Sequence, residues 1–113
     1  MPSVSLPAFA KINLDLRILG TRPDGYHDLR TIFQSLALFD KVTVTRRRGP
    51  FEIVCDQEDI PTDRRNLVWK AASLLHRVAT GKQAAPQGVS IDLRKRIPME
   101  AGLGGGSADA AMT

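Results

Sequence analysis

A cluster of glycines near the carboxyl end is the part of the sequence best suited to chemistry. The segment AGLGGGSADAAMT places glycines at positions 102, 104, 105 and 106, with Ser107 directly after them. A glycine backbone adopts positive φ and lets successive N–H groups approach an anion with no side chain between. Good helix formers follow, so a helix is predicted from about Ser107, and its amino terminus adds unpaired donors. The segment therefore predicts a phosphate site, with the Ser107 hydroxyl beside a phosphate oxygen or its Mg²⁺.

Spacing separates this segment from two better-known glycine motifs. A Walker loop, G-x-x-x-x-G-K-[ST], is not matched, because the pair Gly81-Lys82 has His76 at the first glycine position and Gln83 at the hydroxyl position. A dinucleotide fingerprint starting at Gly102 has Ser107 at its third glycine and leaves no room for the later acidic residue. From the residues alone, a flexible glycine turn packed against a helix remains the alternative.

The glycines follow an ordered series of predicted elements that must position them. Strands are predicted where apolar residues alternate with polar ones, and turns where Pro, Gly and Asp gather. The predicted order is a strand over Ala8–Ile18, a loop over Gly20–Gly25, a strand over Tyr26–Phe39, a hairpin pairing Lys41–Arg48 with Phe51–Cys55, a helix over Asn66–Val78, and a strand through Val89, Ile91 and Leu93.

The predicted helix has a single apolar stripe and a signal at each end. Its apolar positions recur at helical spacing, which predicts that they face the core. Either Asp63 or Asn66 can cap the amino terminus, and Gly81 lies just beyond the carboxyl terminus. The stripe consists of Leu67, Ala71, Leu74, Leu75 and Val78.

Composition limits the class of protein without choosing a function. The chain has 113 residues, 42% of them apolar, and a formal net charge of +4, which permits an anionic partner without selecting one. A lone Cys55 and two separated histidines exclude a disulfide scaffold and a structural zinc site. No apolar run approaches the length of a membrane span. Because the sequence stops within two turns of its last predicted helix, we expect it to be the amino-terminal part of a longer protein.

Two stretches together identify a family. PAFAKINLDLRILGTRPDGYHDLRTIFQSL, at 7–36, and PMEAGLGGGSADAA, at 98–111, resemble the GHMP kinase superfamily, and NLVWKAASLL, at 66–75, resembles the helix between them. The resemblance implies an α+β fold whose amino-terminal lobe is similar to domain 2 of ribosomal protein S5. It implies a cytoplasmic, ATP- and Mg²⁺-using enzyme that phosphorylates the 2-hydroxyl of 4-diphosphocytidyl-2-C-methyl-D-erythritol in the non-mevalonate route to isoprenoid precursors. It also implies that 1–113 is an incomplete domain that binds substrate and ATP, with the carboxyl-terminal lobe absent.

The resemblance gives roles to particular residues on the substrate side. Lys11 matches the lysine beside the reacting hydroxyl, and period two places Asn13 on the same strand face. Tyr26 and His27 match the pair that recognises the pyrimidine by stacking and hydrogen bonding. Without the resemblance, Lys11 and Asn13 would be interpreted as a solvated strand face, Tyr26 as half-buried packing, and His27 as a surface histidine.

On the nucleotide side, the resemblance points to the glycine segment and its surroundings. Trp69 is expected in the core rather than at an adenine, and Asp109 either influences Mg²⁺ or simply suits a first helical turn. The aspartate expected to accept the substrate proton comes from a segment after the glycines and is not among these 113 residues. The implied ATP-binding residues are Asn66, Lys95, Pro98, Gly102, Leu103, Gly104, Gly105, Gly106 and Ser107.

Three basic runs support a second hypothesis, an S5-like module that binds nucleic acid. Arg46–Arg48, Arg64-Arg65 and Arg94–Arg96 could follow a phosphate backbone. Aromatic residues are not interleaved with these runs, and the glycine segment would have no role. The sequence favours the kinase.

Overall fold

The computed structural model describes residues 2–99 and 102–113 and combines one sheet with two helices. The order of the elements along the chain is β1 (Ser3–Thr21), β2 (His27–Arg46), β3 (Glu52–Cys55), α1 (Leu67–Thr80), β4 (Val89–Arg94) and α2 (Gly105–Met112). The mixed α/β order agrees with the predicted fold class. Neither described helix is long and apolar enough to cross a membrane.

The four strands form a sheet in the order β1-β2-β4-β3, which corrects the predicted hairpin. The two predicted strands 26–39 and 41–48 are one continuous strand, β2, paired antiparallel with β1 along most of its length. β3 does not pair with this strand, because β4 lies between them, antiparallel to β2 and parallel to β3. The Gly-Pro turn after β2 is compatible with a local hairpin. The central position of β4 instead gives its buried backbone N–H and C=O groups hydrogen-bond partners on both sides.

One face of the sheet forms the core. Val42 opposes Leu93 and Ile91 opposes Ile53, and all four side chains are buried. The alternate residues, such as Thr43 and Ser90, lie on the opposite, polar face. In β4 and around Val42 of β2 the period-two pattern therefore assigns inside and outside correctly, although it does not predict which strands are neighbours. In β1 the predicted buried face is wrong, because Leu14, Leu16 and Ile18 are exposed.

Helix α1 is capped as predicted but buries a different face. The Asn66 side chain accepts a hydrogen bond from the Val68 amide at 2.8 Å, and Gly81 ends the helix in a left-handed conformation. Val68 and Ala72 are buried in the core. The predicted stripe is wrong, since its large members are exposed: Leu67, Leu74, Leu75 and Val78.

The side of α1 that contacts the core carries Val68, Trp69 and Ala72. Trp69 packs edge-on against Phe51, with ring centroids 4.7 Å apart, and it contacts the core cluster. Val68 and small Ala72 belong to the same core cluster, so the side of α1 that carries them packs closely on the sheet. Apolar residues surround most of α1, so periodicity alone was ambiguous about which side is buried.

Candidate functional site

The glycine-rich loop, residues 102–107, comprises the turn that precedes α2 and the first three residues of that helix. Gly102 and Gly104 have φ of 73° and 72°, the left-handed region that favours glycine. The expectation of positive φ at Gly105 and Gly106 is wrong, because α2 begins at Gly105, two residues earlier than predicted. Glycine is needed at 105 for space instead. A Cβ there would lie 2.9 Å from Ile97 Cγ2 and 3.5 Å from Lys95 Nζ.

The amino terminus of α2 carries donors with no protein acceptor in the described residues. Gly104 is the N-cap and has no side chain to accept a hydrogen bond. The described contacts give the N–H groups of Gly105, Gly106 and Ser107 no backbone acceptor outside the helix, and the first turn offers none within it. These donors and the helix dipole favour an anion at this position.

A cavity of about 380 Å³ opens beside the loop. All nine residues predicted to bind ATP line this cavity. They are Asn66, Lys95, Pro98 and the whole loop from Gly102 to Ser107, and Leu67 and Asp109 also line the cavity.

Lys11 joins β1 to the middle of the glycine-rich loop. Its backbone N–H donates to the Leu103 carbonyl at 2.9 Å, and its ammonium donates to the Gly102 carbonyl at 2.9 Å. The ammonium also donates to Asn13 Oδ1 at 2.7 Å and lies 5.5 Å from the centroid of the Phe33 ring. Since an ammonium has three N–H donors, these contacts leave one for a ligand oxygen.

Tyr26 and His27 lie at the far end of the β1–β2 hairpin. The register pairs Lys11 with Ser35 and Thr21 with His27, so ten residues of strand, roughly 33 Å of contour, separate the two places. Tyr26 is 73% exposed, and His27 Nδ1 lies 3.3 Å from the Thr21 hydroxyl. The fold thus brings Lys11 and Asn13 to the loop but leaves Tyr26 and His27 at the hairpin tip, where the pyrimidine role stays a prediction.

Asn66 contributes to both the helix and the cavity. Its Oδ1 caps α1, and its Nδ2 donates to the Pro61 carbonyl at 2.8 Å. The side-chain amide therefore has a structural role at the cavity wall. Trp69 is part of the core packing, as its residue type led us to expect.

Beneath the loop lies a buried ion triad of Asp40, Lys95 and Asp109, with exposed fractions of 0%, 8% and 2%. The Lys95 ammonium donates to Asp40 Oδ2 and, at 2.6 Å, to Asp109 Oδ2. Asp40 Oδ1 accepts from the backbone N–H groups of Arg96 at 2.6 Å and Ile97 at 2.9 Å. Asp109 Oδ1 is buried and has no hydrogen-bond partner among the described residues.

The three groups have different pKa shifts because their partners differ. Burial opposes ionisation of Asp40, but the amides of Ile97 and Arg96 and the Lys95 ammonium outweigh it and lower the pKa of Asp40. Burial likewise opposes the charge of Lys95, but the two carboxylates raise its pKa. Burial raises the pKa of Asp109 to about 7, and the negative charge of nearby Asp40 acts in the same direction. Asp40 and Lys95 are thus held as an ion pair, while Asp109 binds a proton more readily than an ordinary aspartate.

Sequence reasoning missed Asp40, although a signal for it exists. The β2–β4 register pairs Lys41 with Arg94, so its next pair, toward the cavity, would be Asp40 with Lys95. Both positions continue the buried alternation of Val42 and Leu93. An acidic residue on one strand opposite a basic residue on the next, both at positions that face the core, indicates a buried cross-strand ion pair. Recognising it requires the strand pairing, which the predicted hairpin had wrong.

Part of the chain matches a known family model, and nearly all of it is similar to curated proteins. Residues 66–113 match the GHMP kinases N terminal domain. A curated relative from Synechococcus sp. (strain JA-3-3Ab), named 4-diphosphocytidyl-2-C-methyl-D-erythritol kinase, is 50% identical over 98% of this chain and 35% of its own length. A relative of the same name from Acetivibrio thermocellus is 46% identical over 98% of this chain and 38% of its own length. The chain thus spans just over a third of the length of these relatives.

Solved structures agree with the sequence comparison. The crystal structure of a 4-(cytidine 5'-diphospho)-2C-methyl-D-erythritol kinase superposes with a TM-score of 0.71 at 42% identity, covering 96% of this chain and 37% of that one. A homoserine kinase from Cytophaga hutchinsonii superposes at 0.61 with 18% identity, covering 96% of this chain and 32% of that one, which shows a shared fold alone. These findings confirm the resemblance to the GHMP kinases, and the fold is that of their amino-terminal domain.

Proposed function

We propose that this chain is the amino-terminal part of a GHMP-superfamily kinase that transfers the γ-phosphoryl group of ATP to the 2-hydroxyl of 4-diphosphocytidyl-2-C-methyl-D-erythritol. The observation that carries the proposal is the contact between Lys11 and the glycine-rich loop. A cation at an alcohol and a cradle for phosphates are the two parts that a phosphoryl transfer needs close together. The names of the relatives supply the substrate.

The glycine-rich loop fits the phosphates of ATP. Its N–H groups at Gly105, Gly106 and Ser107 lie together at the helix terminus. Leu103 is the one residue of 102–106 with a side chain, so a phosphate can come close to the backbone of the others. The Ser107 hydroxyl, which lines the cavity, would be the loop's side-chain ligand for Mg²⁺, an ion that would neutralise charge on the phosphates. No group of three or more His, Cys, Asp or Glu in the described residues forms a separate metal site.

Lys11 provides the charge at the acceptor. Its remaining N–H can reach an oxygen of the alcohol or of the transferring group, and Asn13 Oδ1 holds the ammonium in place. In the transfer, the bond between the γ-phosphorus and the bridging oxygen of ATP breaks, a bond to the substrate oxygen forms, and ADP leaves. The hydroxyl proton passes to a base, which we expect to be an aspartate from a segment after the glycine-rich loop.

Tyr26 and His27 are proposed to hold the cytosine by stacking and hydrogen bonding. Both side chains are exposed and lie at the tip of a two-stranded hairpin. Almost every described residue at this end of the hairpin is exposed, and a two-stranded hairpin without further packing is at best marginally stable. We therefore expect substrate binding to bring the tip toward Lys11.

The proposed cytoplasmic location follows from the proposed kinase function.

The nucleic-acid hypothesis receives less support, because acidic neighbours occupy its basic runs. Arg65 pairs with Asp63 at 3.0 Å, and Arg94 pairs with Asp92 at 3.2 Å. Lys95, at the centre of the third run, is buried. These contacts reduce the charge available to a phosphate backbone.

Calorimetric titration of the full-length protein with MgATP and with the cytidine-linked substrate, followed by a turnover assay, tests the proposal. Saturable binding of both ligands and formation of ADP are expected. Absence of ATP binding would contradict it. Salt-sensitive retention of RNA in a filter assay, without nucleotide turnover, would favour the nucleic-acid module instead.

A further inference from the structure

The Asp40–Lys95–Asp109 triad joins the segment that precedes the glycine-rich loop to the helix that follows it. Before the loop, Asp40 on β2 accepts the backbone N–H groups of Arg96 and Ile97. After the loop, Asp109 on α2 accepts from the Lys95 ammonium. Because Lys95 is also bonded to Asp40, one buried cluster ties both segments to the centre of the sheet.

Lys95 itself is held by neighbours outside the triad. Its backbone N–H donates to Asp56 Oδ1 at 3.0 Å, and its carbonyl accepts from Gln57 Nε2 at 3.2 Å. These bonds fix the start of its side chain, while the two carboxylates fix its end. The ammonium therefore has a defined position relative to β3 and β4.

That position lies directly under the first turn of α2. A Cβ on Gly105 would stand 3.5 Å from Lys95 Nζ and 2.9 Å from Ile97 Cγ2, so the Gly105 backbone rests on these two residues. Gly105 also carries one of the N–H groups without an acceptor. A shift of Lys95 or Asp109 would therefore move the donors proposed to bind phosphate.

Stability alone gives a weak reason for such a cluster. Desolvating three charged groups opposes folding, and well-packed apolar residues of similar volume often stabilise a core as well or better. Asp109 adds a buried oxygen without a partner, a further unfavourable contribution. The geometry is instead suited to positioning. Asp40 accepts from the backbone of Arg96 and Ile97, and the Lys95 ammonium bonds Asp40 to Asp109 on α2.

We infer that the Asp40–Lys95–Asp109 triad is a positioning device for the glycine-rich loop, with Lys95 acting through Asp109 and Gly105 rather than by contacting phosphate itself. The inference rests on the proposed function. It differs from the direct ATP contact predicted for Lys95 from the sequence. The side chain of Lys95 is only 5% exposed, and two of its three N–H donors are already used.

Replacement of Asp109 by asparagine in the full-length protein tests this role. At pH above about 7, where Asp109 is mostly ionised, Asp109→Asn keeps the size of the side chain but removes the negative charge paired with Lys95. We expect the dissociation constant for MgATP to rise by about fivefold or more, the lower range of coupling between linked sites. The constant for the cytidine-linked substrate should change little. Asp92→Asn, on the polar face of the same sheet, is the matched control and should leave both constants unchanged.

A second variant guards against a purely local effect of asparagine. Asp109→Leu removes the link between sheet and helix, puts an apolar group of similar size in its place, and leaves the Asp40–Lys95 ion pair intact. The same selective loss of MgATP affinity is expected. An unchanged MgATP constant in both variants, or equal weakening of both ligands, would overturn the positioning role. Failure of the unaltered protein to bind MgATP would instead refute the proposed function on which the role depends.

Discussion

The ammonium nitrogen of Lys11 lies 2.9 Å from the carbonyl oxygen of Gly102, although 91 residues of sequence separate them. A strand at the start of the chain and a loop near its end thus meet at one point. The contact is reinforced by the bond from the Lys11 amide to the Leu103 carbonyl. A change at Lys11 should therefore affect both the acceptor side and the phosphate side of the site.

Removing the charge of Lys11 should slow turnover much more than it weakens binding. In Lys11→Met the apolar part of the side chain remains against Gly104, and only the ammonium is lost. We expect kcat to fall by about 10²–10³-fold, as for other single groups that stabilise transition-state charge. The KM for the cytidine-linked substrate should change much less. Lys41→Met, on an exposed side chain of β2, is the control for steady-state kinetics. An unchanged kcat in Lys11→Met would refute the role of Lys11.

Neighbouring glycines in α2 should respond in opposite ways to the same substitution. A Cβ at Gly105 meets Ile97 at 2.9 Å, whereas one at Gly106 meets only Leu67 Cδ1 at an ordinary 3.5 Å. Gly105→Ala should lower the free energy of unfolding by about 1–3 kcal/mol through overpacking. Gly106→Ala should leave it unchanged or raise it by up to about 1 kcal/mol, because alanine favours helix. Urea denaturation of the two variants gives both values, and equal effects would contradict the packing.

Loss of the α1 cap should destabilise the protein modestly. Asn66→Ala removes the bonds to Val68 and Pro61, and we expect the free energy of unfolding to fall by about 1 kcal/mol. Asn66→Ser keeps a capping oxygen and should recover part of the loss. A fall in the alanine variant that serine does not reduce at all would argue against capping as the cause.

Asp109 should make stability fall as pH rises. Its folded-state pKa is raised to about 7 from an ordinary value of 3.8, so the folded state holds a proton that the unfolded state releases between these limits. The stabilisation is complete below about pH 4 and is lost as pH rises to about 7. The difference in unfolding free energy between the unaltered protein and Asp109→Asn, measured from pH 4 to 8, should follow this course. A difference that is constant with pH would contradict it.

Several features were predictable because their signals are local. Asn66 and Gly81 mark the ends of α1 through backbone hydrogen bonding and left-handed φ, which depend on neighbouring residues. Alternation in β4 gave the inward side of Ile91 and Leu93 for the same reason. The predicted pairing of 41–48 with 51–55 failed because strand order depends on a partner contributed by a later segment.

By itself, the sequence determined the elements, the glycine-rich loop and the family that its motifs resemble, since these depend on residue type and spacing over short stretches. Only the tertiary structure decided that Lys11 contacts the loop, that Val68 and Ala72 are the residues of α1 that face the core, and that Lys95 is enclosed by Asp40 and Asp109. Those outcomes depend on which strands become neighbours. Burial, steric fit and charge pairing between distant segments select that arrangement, and no local pattern records it.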